Sequence, residues 1–227
     1  MGEPVHFGDP NMGKSRAAFT LPEILVVIAV CAVLTSIVYA GYGRAMSSAR
    51  NAQAIAEIRA LGRAALDYAA DHDGQLPQSS HQGPRLSWIR LFKQSLPSEA
   101  FRNVFDDTGR ICSYAINDFV TQRPHGAEDL DYSRIQSIPA PSQTLLFSIA
   151  HRDAQNSDHF HFASSGWEPA AFEKEVWVDL TGESGLYLFI DGHAELLPWE
   201  EVKSRLEQPN SRFVRPDGGN LIHTSNS

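Results

Sequence analysis

The chain lacks several features that would define a disulfide-stapled, nucleic-acid-binding or motif-bearing catalytic protein. Cysteine is scarce, two in 227 residues. Cys31 lies in an apolar run and Cys112 far beyond it, so no disulfide framework is indicated and Cys112 is expected as a buried thiol. Basic charge is in deficit: 19 Lys and Arg stand against 27 Asp and Glu, a formal net charge of −8. The opening stretch is balanced (Glu3, Asp9, Lys14, Arg16), and so is Arg44 to Asp73, which leaves nearly all of the excess beyond Asp73. An acidic outer domain repels phosphate backbones and argues against nucleic acid as a partner. Also missing are a Gly-x-Ser-x-Gly elbow, a His-Glu-x-x-His helix and a phosphate-binding glycine loop, so the recognisable catalytic motifs are absent.

Charge is absent again from Ile24 to Gly43, twenty positions dominated by Ile, Leu, Val and Ala. A helix of that length crosses a roughly 30 Å hydrocarbon core. A cleaved secretory signal would place Lys14 and Arg16 in its basic region. The run exceeds the usual h-region of about 7–15 residues, however, and "SIVYAGYGRAMSSAR" continues it in helix-compatible sequence. An uncleaved anchor, held by Lys14 and Arg16 on the cytoplasmic side, is the second reading. Neither accounts for Glu23, an acid at the edge of the run.

The stretch "GKSRAAFTLPEILVVIAV" resembles the type IV prepilin signature: a short basic leader, a small residue, Phe-Thr-Leu-x-Glu, and an apolar helix. The resemblance implies cleavage between Ala18 and Phe19 by the prepilin peptidase on the cytoplasmic face, and N-methylation of Phe19 by the same peptidase/methyltransferase. Glu23 would become the fifth residue of the mature chain, paired in an assembly with the Phe19 amine of a neighbouring subunit. Ala18 departs from the glycine usual before the cut but keeps its small size. Pro22 falls in the first helical turn, where its missing N–H has no helical acceptor to lose. The plainer reading of Glu23 is a helix-edge acid favoured by the positive end of the helix dipole.

Proline is absent between Glu23 and Pro77, and Gly41, Gly43 and Gly62 are the only weak points. One helix of about fifty residues is therefore expected. In its second half Ile55, Ile58, Leu61, Ala65 and Tyr68 recur at three and four, while Arg59, Arg63 and Asp67 fall on another face. It should stop at "DHDGQLPQ", where Gly74 and Pro77 end it; Asp71 and Asp73 are too few oxygens for calcium. The tract "LDYAADHDGQLP" resembles the helix-closing segment of pseudopilins.

Beyond it, "SWIRLFKQSL" reads as a short helix with Trp88, Leu91, Phe92 and Leu96 inward, and "ICSYAINDFV" as a strand or strand-loop. "SQTLLFSIA", "EVWVDL", "GLYLFID" and "AELLPW" read as strands and "PWEEVKSRLEQP" as a helix. The class is α+β, an antiparallel sheet laid on one long amino-terminal helix in pilin-like fashion. The expected organisation is a leader over 1–18, a transmembrane and assembly helix over 19–43, its continuation over 44–73, a globular domain over 74–214 and a mobile tail over 215–227.

"CSYAIND", "IPAPSQTLLFSIA" and "LYLFIDGHAELLP" resemble the carboxy-terminal processing-associated domain of prepilin-like proteins, named for a His, nine residues, then Asp-Gly. Asp191 and Gly192 match and His193 follows, but Thr181 stands where the first His belongs, so no role tied to that His carries over. Locally, "IDGHAEL" reads as a turn between strands, Asp-Gly favouring positive φ.

"HRDAQNSDHFHF" is the rival site. His159 and His161 would point the same way on a strand, with Asp153, Asp158 or His151 to complete a metal site. No spacing for a third ligand is evident, so no metal, cofactor or catalytic residue is assigned. The sequence reads as a structural subunit, a pseudopilin or minor pilin of a type II secretion or type IV pilus-like filament. Its partners would be the prepilin peptidase, other pilin-like subunits and the bacterial inner membrane, crossed once with the amino terminus cytoplasmic and the globular domain periplasmic. The alternative is a membrane-anchored periplasmic binding protein or metal-dependent enzyme using the 151–161 segment together with His193.

Overall fold

The computed structural model describes residues 19–124, 129–154, 158–161 and 169–219. Helix α1 covers Leu21–Asp71 without interruption, and the chain divides into one unit ending at Ser47 and a second beginning at Ser48. In the first unit every described side chain from Phe19 onward is exposed. Leu21, Ile24, Leu25, Val26, Val27 and Ile28 are each more than half exposed, so the apolar surface runs all round the helix instead of along one stripe. Such a helix requires lipid or other helices about it, and this one is long and apolar enough to cross a membrane. Its hydroxyls suit that setting: Thr35 Oγ1 donates to the Cys31 carbonyl and Ser36 Oγ to that of Val33, each at 2.7 Å, which satisfies them within the helix.

In the second unit the pattern narrows. Ala54, Ile58, Leu61, Ala65 and Ala69 are fully buried, flanked by half-buried Ile55 and Tyr68, so the covered line is centred between the alanines. Gly62 lies on it: a Cβ there would stand 2.5 Å from Leu188 Cδ2, so a larger residue would have to displace that side chain. The helix ends in a Schellman arrangement. The Gly74 N–H donates to the Ala69 carbonyl at 2.8 Å, and Asp73 (φ 53°) and Gly74 (φ 80°) both take left-handed backbone.

The sheet has five strands, β1 (Tyr114–Asn117), β2 (Leu145–Ile149), β3 (His159–Phe160), β4 (Ser184–Phe189) and β5 (Ala194–Pro198), in the order β3-β1-β2-β4-β5. Tyr114 faces Ile149, Phe147 faces Leu188 and Leu186 faces Leu196 in antiparallel pairs, but β3 runs parallel to β1. The sheet is therefore mixed where an antiparallel one was expected. The chain leaves β2, passes β1 and lays β3 on its far side in the direction of β1.

Both faces are covered. Tyr114, Ile116, Leu186 and Leu188 join the α1 residues in one apolar cluster. Ala115, Tyr187 and Phe189 face a second, shared with helices α3 (Pro169–Glu175) and α4 (Trp199–Glu207) and with Phe213 and Val214. A bulge between Leu145 and Phe147 turns Leu146 and Phe147 together into the first cluster. Helix α2 (Trp88–Phe92) buries Trp88 and Phe92 and leaves Leu91 and Leu96 half-buried.

One further expectation is corrected. "EVWVDL" is not a strand: only Val176 bridges, to Ala150, because β2 already has β1 and β4 as neighbours. The preceding turn is helical as α3, which the sequence pattern did not show. The Asp191-Gly192 loop has three residues, closed by Gly192 N–H to the Phe189 carbonyl and Phe189 N–H to that of His193, and only Gly192 (φ 89°) is left-handed; this is the bulged form of hairpin. Cys112 is buried and donates to the Tyr114 carbonyl at 3.4 Å, and both thiols are free. In the carboxy-terminal segment Arg215 grips Asp217 through two bonds, and residues 220–227 lie outside the described residues.

Candidate functional site

Glu23 sits in the first turn of α1. One of its oxygens, Oε2, accepts from both the Thr20 N–H and the Thr20 hydroxyl, each at 2.8 Å. Thr20-x-x-Glu23 is thus half of a capping box, in which the acid reaches back to a donor that the helix leaves without a partner. Pro22 lies within the same turn and Phe19 just ahead of it is 82% exposed. Ala18 and the rest of the leader lie outside the described residues.

A family model for the prokaryotic N-terminal methylation motif matches residues 13–39. This chain carries the prepilin-type methylation motif. The match marks a type IV prepilin-like protein processed by prepilin peptidase, and together with the apolar helix it accords with anchoring in the inner membrane. No curated protein and no solved structure matches the chain. The motif ends at Tyr39, so the resemblance drawn for the carboxy-terminal half gains no support from it.

The second unit of this prepilin-like chain holds a cluster of three histidines, one of which sequence reasoning missed. His81 stands in a 3-10 turn, Ser80–Gln82, shortly after α1, and joins His159 and His161 at β3. The ring centres are 4.8 Å (81 to 159), 5.2 Å (81 to 161) and 5.3 Å (159 to 161) apart, and one ligand nitrogen from each lies within 4.8 Å of the others. His159 and His161 are 5% and 6% exposed. The two-residue alternation of β3 places them on one side while Phe160 enters the second apolar cluster.

Two of the rings have a carboxylate within bonding reach of Nδ1, and the third has one farther off. Asp158 Oδ1 lies 2.6 Å from His159, Asp118 Oδ2 3.3 Å from His81 and Glu175 Oε1 3.9 Å from His161. Asp158 also accepts from Ser80 N (2.9 Å), Ser80 Oγ (2.7 Å) and Ser87 Oγ (2.6 Å). Burial pushes its carboxyl up, but the bonds from His159, Ser87 and Ser80 outweigh this and hold it below the usual carboxylate range. An ionised Asp158 only accepts, so His159 Nδ1 donates to it and the lone pair of a neutral ring falls on Nε2. That Nε2 is buried with no hydrogen-bond partner.

The other residues of the rival site lie apart. His193 is at the β4–β5 turn, paired with Asp191 and stacked on Phe189 at 4.2 Å, at the other end of the sheet from β3. His151 accepts from the Asp153 N–H at 3.2 Å, and Asp153 is exposed. Spacing could not reveal His81, because fold and not sequence brings it to β3; its only trace was one histidine in a polar loop.

Proposed function

We propose that this prepilin-like chain is a structural subunit, a pseudopilin or minor pilin, of a type II secretion or type IV pilus-like filament. The observation that carries the reading is a helix whose portion up to Gly43 is apolar on every side, with its one acid in the first turn. Cleavage between Ala18 and Phe19 frees an amine, which is then N-methylated. The amine of one subunit approaches Glu23 of the next. Thr20 occupies Oε2 and leaves Oε1 to accept it. Two unit charges about 4 Å apart attract by roughly 4 kcal/mol at an effective dielectric near 20, against up to about 3 kcal/mol for leaving an acid unpaired within a membrane helix. The pairing offsets the burial and sets the register between subunits. The leader is cytoplasmic and the second unit periplasmic before assembly.

Mass spectrometry of the mature protein tests the processing: the expected amino terminus is N-methyl-Phe19, and a retained leader would end the proposal. Glu23→Ala should leave the protein in the membrane but keep it out of filaments, whereas Thr20→Ala, which loses only a cap of about 1 kcal/mol, should still assemble. Equal incorporation of the Glu23 variant would count against the pairing.

A further inference from the structure

We propose that His81, His159 and His161 form a tri-histidine site for a divalent transition ion, and specifically Zn²⁺. The site lies wholly within the second unit and stands whether or not the chain enters a filament. A tetrahedral zinc with Zn–N bonds of about 2.0–2.1 Å holds its ligand nitrogens roughly 3.3 Å apart and its imidazole ring centres roughly 5 Å apart. The ring centres here, 4.8 to 5.3 Å apart, already match that triangle. The nitrogens, within 4.8 Å of one another, must turn inwards, and His81, with 29% of its side chain exposed, has the space to do so.

Three features distinguish this cluster from histidines packed together by chance. The first is His159 Nε2, a polar atom buried without a partner, which a native fold tolerates only where something satisfies it. The second is the carboxylate at Nδ1 of His159 (2.6 Å) and of His81 (3.3 Å), with that of Glu175 farther from His161 at 3.9 Å. This is the arrangement that fixes tautomer and orientation in histidine-ligated metal sites. The third is charge: Asp158, Asp118 and Glu175 stand beside the three imidazoles, a setting that favours a cation. All-imidazole donors suit zinc, copper or nickel and disfavour calcium and magnesium, which take oxygen ligands. Bound, the ion adds to the bonds by which Asp158 already joins the turn after α1 to β3.

The full-length chain, purified in detergent and freed of metal by chelation, is titrated with Zn²⁺ and separately with Co²⁺. The expected result is one ion per chain, a rise in melting temperature with Zn²⁺, and the intense visible absorption of four-coordinate Co²⁺. His81→Ala, in a partly exposed turn, should remain folded by circular dichroism yet bind at least 100-fold more weakly. Asp158→Asn should weaken binding about 10- to 100-fold, and His193→Ala should change nothing. Substoichiometric binding by the folded native chain would overturn the proposal, as would a His81→Ala variant that binds as tightly as the native protein. Loss of binding in His193→Ala equal to that in His81→Ala would also overturn it, since that would signal nonspecific histidine chelation.

Discussion

Replacing Gly62 tests whether helix-to-sheet distance, and not helix propensity, governs that position. In an exposed helix Gly→Ala stabilises by about 0.8–1.0 kcal/mol. Here the added methyl would lie 2.5 Å from Leu188 Cδ2 and 3.1 Å from Cδ1. Leu188 is fully buried and held between Phe147 of β2 and Ala194 of β5, so it cannot swing into solvent. Overpacking of this kind costs about 1–3 kcal/mol. Set against the propensity gain, the net for Gly62→Ala is a loss of roughly 1 kcal/mol, or about 2–4 °C in melting temperature for a unit of this size. Gly62→Val, with more bulk and no propensity gain to match, should lose more. The melt is followed by near-ultraviolet circular dichroism, in which buried Trp88 reports tertiary packing. A double variant with Leu188→Ala, which alone costs about 2–5 kcal/mol, should lose less than the sum of the two because the new methyl enters the vacated space. A rise in melting temperature for Gly62→Ala would refute the close approach, and strict additivity would refute its assignment to Leu188.

Two further outcomes are expected. Asp106 is buried against Arg110 and accepts from Thr108; burial raises its carboxyl, but bonds from Ser113, Thr108 and Arg110 bring it below the usual range. A folded-state value below the unfolded one, about 3.9, means that the contribution is complete above that pH and is lost as pH falls through the folded value. Asp106→Asn should therefore destabilise the fold at pH 7, with the gap to the native protein in urea unfolding narrowing as pH falls below about 4; a constant gap down to about pH 2.5 would contradict this. Burial pushes the Cys112 thiol up to about 12, so iodoacetamide at pH 8 should label it only after denaturation, and rapid labelling of the native chain would show that the site is open.

The long helix was legible because its signals are local: an unbroken apolar run, a three-and-four stripe and a terminating Gly-Pro tract. Within the stripe the centre shifted towards Ala54 and Ala69, since small residues mark the closest packing while Ile55 and Tyr68 reach in from its margins. The capping role of Thr20 was also present in the spacing to Glu23, although the charge drew attention first. Long-range placement was harder. A strand pattern at 175–180 falls beside β2, whose two sides are already taken by β1 and β4, and the parallel direction of β3 depended on where a connection crossed β1. The histidine cluster failed to show for the same reason, since residues 81 and 159 meet only through the turn after α1 and the edge of the sheet.

Covering the sheet on both faces has a consequence for how copies behave together. Among the described residues beyond Ser47, only Leu86 and Ile111 are large apolar side chains left open to water. Among the described residues, exposed apolar surface is thus concentrated in the first unit, while the second, bearing most of the negative charge, favours suspension. Crowded copies meet apolar surface chiefly through that helix, which favours ordered stacking over indiscriminate clumping.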